Sequence, residues 1–146
     1  MKIRVKFFDK ELYPEGLQKI GGDKSDWIDL RARERFVLEK GTAKIIPLGV
    51  AMELPEGYEA HIAPRSGTFK NWKIIQTNSV GVIDRKFCGD NDEWGMPVLA
   101  MQDTIIEKGD RICQFRVMER QPDINFDVVD QLNNEDRGGW GSTGKK

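Results

Sequence analysis

The spacing of apolar residues constrains this chain most, and its period is two, not 3.6. In AKIIPLGVAMEL, residues 43–54, the even positions Ile46, Leu48, Val50, Met52 and Leu54 are all apolar, while Pro47 and Gly49 fall on the other face. Such alternation puts one face of an extended strand into a core. Pro and Gly at interior positions argue against a helix. KIRVKF reads the same way, with Ile3, Val5 and Phe7 set against Lys2, Arg4 and Lys6. PEG at 55–57 is a turn, and YEAHIAP continues after it, so the two strands around it are expected to form a hairpin. WIDLRA, RFVLEK, IIQT, MPVLAM, RICQFRVME and INFDVV read as further short strands, divided by turn signals such as KGT, SVG, KGD and NNED. Only SGTFKNW, residues 66–72, reads as a helix, opened by a serine or glycine cap. The expectation is an all-β domain: a sandwich, jelly roll or small barrel with one short helix.

A chain of 146 residues suits one domain with a core of its own. Its 23 basic and 24 acidic residues give a formal charge of −1, so charge makes no case for nucleic-acid or membrane binding. No apolar run is long enough to span a bilayer. The start, MKIRVKFFDK, lacks the apolar stretch of a signal peptide. Cys88 and Cys113 fit no metal spacing, and a reduced, cytoplasmic protein is expected. The single histidine, His61, excludes a His-rich zinc site and reads as a half-exposed strand residue.

Five stretches carry groups suited to chemistry. The tail, RGGWGSTGKK, comes within one residue of a phosphate-binding P-loop, but Lys146 stands where Ser or Thr is needed and no helix is expected to follow. Its glycines allow backbone N–H groups to approach an anion. Ser142 and Thr143 add donors, Arg137 offers a charged fork, and Trp140 a flat ring. A mobile arm closing over a nucleotide would use all of these. PRSG, residues 64–67, places Arg65, Ser66 and Gly67 where a strand ends and a helix starts, and unsatisfied N–H groups there attract anions. In NSVGVIDRKFCG, residues 78–89, Asn78 and Gly81 suit a turn and Asp84 could orient a water and take its proton. GDRICQ, residues 109–114, is a turn entering a strand, with Arg111 and Gln114 as donors. In DWIDLRA, Asp29 lies between Ile28 and Leu30 and points away from their face.

In this order, the five stretches resemble the homotrimeric dUTP pyrophosphatases (dUTPases), most of all their bacterial and bacteriophage members. The likeness covers roughly residues 24–144. It implies a jelly-roll β domain over 1–136 and a glycine-rich arm over 137–146, exchanged within a trimer whose sites lie between subunits. It implies Mg²⁺-dependent hydrolysis of dUTP to dUMP and pyrophosphate, which keeps uracil out of DNA and supplies dUMP for thymidylate synthesis. On the same resemblance, Asp84 positions the attacking water. Arg65, Ser66, Gly67 and Gln114 meet the phosphates, and Arg137, Gly141, Ser142 and Thr143 reach them from the arm. Asn78, Gly81, Val82 and Ile83 read the uracil edge, and Phe87 packs under the deoxyribose where the family usually has Tyr. Asp29 meets Mg²⁺ through water. Trp140 and Trp94 are both candidates to cover the uracil, because Arg137 and Trp140 are closer together than the family's tail usually sets them. Two alternatives remain open: a dCTP deaminase of the same fold, and a dUTPase-like regulatory binding protein. A regulatory protein partner is expected only if the chain is phage-encoded.

Overall fold

The alternating segments do form strands, but the strands pair across long stretches of sequence. The computed structural model describes residues 1–18, 20 and 25–145; Lys146, the end of the expected arm, lies outside the described residues. In chain order the elements are β1 (Arg4–Phe7), β2 (Ile28–Arg31), β3 (Phe36–Leu38), β4 (Ala43–Pro47), β5 (Val50–Glu53), β6 (Tyr58–Pro64), α1 (Thr68–Trp72), β7 (Ile74–Gln76), β8 (Gly81–Ile83), β9 (Gly95–Ala100), β10 (Thr104–Ile106) and β11 (Arg111–Glu119). Their sheets run β2-β11-β6-β8, β4-β9-β7, β1-β5 and β10-β3. Among the described residues every pairing is antiparallel, and none joins strands that follow one another in the sequence. This is a jelly-roll domain with one short helix. No helix among the described residues is long and apolar enough to cross a membrane.

Three expectations are corrected here. AKIIPLGVAMEL is two strands, not one: β4 pairs with β9, β5 pairs with β1, and the chain changes sheet at Leu48–Gly49. Gly49 has φ +71°, and a Cβ there would lie 2.7 Å from Leu12 Cδ2, so the corner needs glycine. The even positions nonetheless all face the core, because the corner preserves the alternation. The PEG turn forms, with the Tyr58 N–H donating to the Pro55 carbonyl at 3.2 Å. It joins no hairpin, because β5 and β6 belong to different sheets. INFDVV forms no strand: the last strand ends at Glu119, and residues 119–145 are all exposed. The helix falls where expected, capped by Gly67. Conversely, β10 escaped the sequence reading.

One continuous apolar cluster links the sheets. Trp94, fully buried, meets Phe115 edge-on with ring centroids 5.2 Å apart. Cys88 is exposed and Cys113 buried, and both are free thiols. Tyr13 ties the N-terminal segment to the core: its hydroxyl donates to the Leu48 carbonyl at 2.8 Å and accepts from the Arg31 N–H at 2.9 Å. Burial holds this phenol neutral well above its ordinary value near 10. A raised folded-state value means that its stabilisation is present below pH 10 and fades as alkali approaches the folded value. Tyr13→Phe strands a buried acceptor and a part-buried donor, and should cost about 1–3 kcal/mol in urea unfolding at neutral pH. The variant should also lose part of the wild type's stability decline above pH 10.

Candidate active site

The residues singled out by sequence fall into three groups. The first lies where β2, β6 and β11 meet. Gln114 sits opposite Asp29 in one ladder and opposite Ala63 in the other. Its amide donates to the Pro64 carbonyl at 3.1 Å. Arg65 follows directly, and its backbone is pinned through Thr68. The Arg65 N–H donates to the Thr68 hydroxyl, which donates to the Ile112 carbonyl, both at 2.8 Å. The side chains then converge on Asp29. Arg65 Nε lies 2.8 Å from Asp29 Oδ1, and an Arg111 terminal nitrogen lies 3.2 Å from Oδ2. Arg65 also donates to the Arg111 carbonyl at 3.1 Å.

Residues 111 and 114 are an odd number apart and would face opposite sides of a regular strand. The β2–β11 register shifts between Arg111 and Cys113, and this bulge absorbs one residue. Ile112 and Cys113 are consequently both buried, and Arg111 and Gln114 both reach one cavity of about 1030 Å³. Arg31, Arg65, Ser66 and Asp29 line it too, along with the segment from Tyr13 to Gln18. Among the described residues its lining carries three arginines against Asp29 and Glu15, a balance that suits an anion. Arg31 and the Tyr13–Gln18 wall were invisible to motif reading, which sees neither register nor a distant segment folding back. Arg111 was visible as a donor, but only the bulge shows where it points.

The second group surrounds β8. Gly81, Val82 and Ile83 form this strand, which pairs only with β6 and is therefore a sheet edge. Gly81 is buried, whereas Asn78 and Val82 are exposed. Asp84 follows, and its Oδ1 accepts the Lys86 N–H at 2.7 Å, which fixes the carboxylate on its turn. Exposed Phe87 closes that turn, its N–H donating to the Asp84 carbonyl at 2.9 Å. Asp84 lines a separate cavity of about 710 Å³ with Tyr58, Glu59, Arg120 and Phe126. Ile83 stands opposite Ala60 at the beginning of β6, while Arg65 follows its end. Five residue-to-residue steps run from Ala60 to Arg65, roughly 16 Å at about 3.3 Å each. The two cavities share no lining residue.

The third group is the tail. Arg137, Trp140, Gly141, Ser142 and Thr143 are exposed, organised only by local turns such as Ser142 N–H to the Gly139 carbonyl. Trp140 is fully exposed. Trp94 is corrected: its burial against Phe115 makes it a core residue and removes it as a cover for a base. The loop GDNDEWGMP delivers it to the corner at Gly49, where the Trp94 N–H donates to the Val50 carbonyl.

A family model described as dUTPase matches residues 23–144. The chain belongs to the dUTPase family. It is 54% identical, over the whole of both chains, to the SPbeta prophage-derived deoxyuridine 5'-triphosphate nucleotidohydrolase YosS of Bacillus subtilis. Among solved structures it is similar to the Staphylococcus bacteriophage 80alpha dUTPase with dUPNHPP. That match has a TM-score of 0.78 at 20% identity and covers 98% of each chain. It also resembles a dUTPase from phage phi11 of S. aureus described with a structural Mg(II) ion, at TM-score 0.73 and 17% identity, covering 92% of this chain and all of the other. Within this dUTPase the two tryptophans should separate by stability. Trp94→Ala should cost about 3–5 kcal/mol in urea unfolding. Trp140→Ala should leave the midpoint unchanged. Asp29→Asn, which removes a largely sheltered carboxylate shared by Arg65 and Arg111, should cost about 1–3 kcal/mol.

Proposed function

We propose that the chain hydrolyses dUTP to dUMP and pyrophosphate as a homotrimer, in the cytoplasm, with Mg²⁺ carried on the nucleotide. One observation carries the reading: an arginine-lined cavity lies at the end of β6, and the sheet edge β8 carries a fixed carboxylate, Asp84, toward its beginning. Neither half is a complete site. A second copy placing its Asp84 beside this chain's Arg65 and Gln114 would complete one. The exposed apolar residues Ile124, Phe126, Val128 and Leu132 support the same assembly, since a chain on its own would leave them in water. We take the exchanged segment to start near Arg120, where the last strand has ended, and to finish in the Arg137–Thr143 arm.

The edge strand β8 leaves one row of backbone N–H and C=O groups unpaired by the sheet. The uracil edge can take up these groups, and Asn78 and Val82 lie at the surface to meet it. Phe87 offers its ring to the sugar. Asp84 orients a water in line with the α-phosphorus and takes its proton as the new P–O bond forms. The bond from that phosphorus to the bridging oxygen breaks, and pyrophosphate leaves. Arg65, Gln114, Ser66 and Gly67 from the body, and Arg137, Ser142 and Thr143 from the arm, meet the charge on the phosphates. Arg111 joins them by its place in the cavity. Trp140 is the remaining aromatic for covering the base.

Among the described residues no cluster of three or more His, Cys, Asp or Glu could cage a metal. Asp29 in the anion cavity suits an ion that arrives on the phosphates with its water shell. When bound, Mg²⁺ neutralises phosphate charge.

The test is to incubate the full chain with Mg²⁺ and each deoxynucleoside triphosphate and to measure pyrophosphate and ammonia. Pyrophosphate from dUTP alone is expected. Ammonia from dCTP would mean a deaminase, and neither product would mean a binding protein. Asp84→Asn should lower turnover by about 10²–10⁴-fold while nucleotide still binds. Full activity in that variant would overturn the mechanism. Removing residues 137–146 should cripple turnover and leave the oligomer intact by light scattering.

A further inference from the structure

Gln76 is the polar residue most deeply placed in the core that none of the roles above uses. It ends β7, is 8% exposed, and lies inside the domain with Ile62 and Ile74 around it. Its side chain leaves its own sheet and crosses to the neighbouring one. Nε2 donates to the Ile62 carbonyl in β6 at 3.0 Å and to the Ser79 carbonyl at 3.4 Å. Its Oε1 is buried with no hydrogen-bond partner. An apolar side chain of similar volume would remove the unpartnered Oε1 but would leave the Ile62 and Ser79 carbonyls without this donor. What the amide adds to packing is a tie between the β6 backbone and the loop before β8.

What it holds is the loop before β8. Ser79 sits at φ +55°, a left-handed conformation uncommon for a residue with a side chain, and the Val80 N–H closes a tight turn onto the Asn78 carbonyl at 2.5 Å. Gly81 is packed so closely that a Cβ would come within 3.2 Å of Ile62 Cβ, and 3.6 Å from the amide nitrogens of both Gln76 and Asn78. Gln76, Asn78 and Gly81 thus crowd one point at the base of the loop. We propose that Gln76 is a positioning residue for base selectivity: it clamps the Asn78–Gly81 loop from beneath in the shape that accepts uracil and leaves no room for a 5-methyl group. This rests on the proposed role of that loop in reading the base.

The test compares full-length wild type, Gln76→Met and Gln76→Leu. Met is the fallback should the branched side chain overpack. Three readouts are taken: turnover of dUTP and dTTP, thermal melting, and amide hydrogen exchange of the 77–81 peptide without nucleotide. The expected result is a folded variant whose 77–81 peptide exchanges faster. Its kcat for dUTP should stay within about twofold, its KM should rise, and its preference for dUTP over dTTP should fall by about tenfold. An unchanged dUTP/dTTP preference in a folded variant would overturn the proposal whatever the exchange shows, because a purely structural role alters melting and not the ratio. Failure of the underlying function would appear separately, as wild type that does not turn over dUTP, and the selectivity role would fall with it.

Discussion

Strand β11 is hydrogen-bonded along both edges, to β2 and to β6, and the register of those two ladders decides which side chains meet in the candidate site. Gln114 stands between Asp29 and Ala63, so the carboxylate on one side and the Pro64–Arg65 corner on the other are delivered to the same spot. The bulge beside Ile112 adds Arg111 by cancelling one step of alternation. Slipping either ladder by one residue would turn these side chains to the opposite face and into the core. The fold and the anion cavity are therefore a single constraint.

The same dependence explains what could be read from sequence. Alternation identified which residues are buried: Ile46, Leu48, Val50, Met52 and Leu54 all reach the core. It could not say which strand pairs with which. A hairpin across PEG was the local inference, but this fold pairs β5 with β1 and β6 with β11. INFDVV alternates like a strand yet finds no strand partner among the described residues. Trp94 looked like a free aromatic in an acidic loop, because nothing local announces that the loop dives to the Gly49 corner. The motifs named candidate site residues, while the bulge, the Tyr13–Gln18 wall and the place of Gln76 are tertiary facts.

The arrangement of charges suggests how the site waits for substrate. Asp29 occupies both Arg65 and Arg111, so each guanidinium is held and aimed by a carboxylate instead of drifting in water. A triphosphate carries more negative charge than one aspartate and can draw both arginines toward itself. On the proposed function, Asp29 would then be free to face the water shell of a nucleotide-borne cation.

The central claim is that one subunit holds two half-sites that only separate copies can join. Co-assembly of two inactive variants tests it directly. Asp84→Asn and Arg65→Ala chains are purified separately, then mixed under conditions that exchange subunits, and dUTP turnover is measured. Recovery of activity in the mixture is the predicted result, since some sites would draw Asp84 from one chain and Arg65 from another. A mixture no more active than its parents, with subunit exchange verified, would contradict the account.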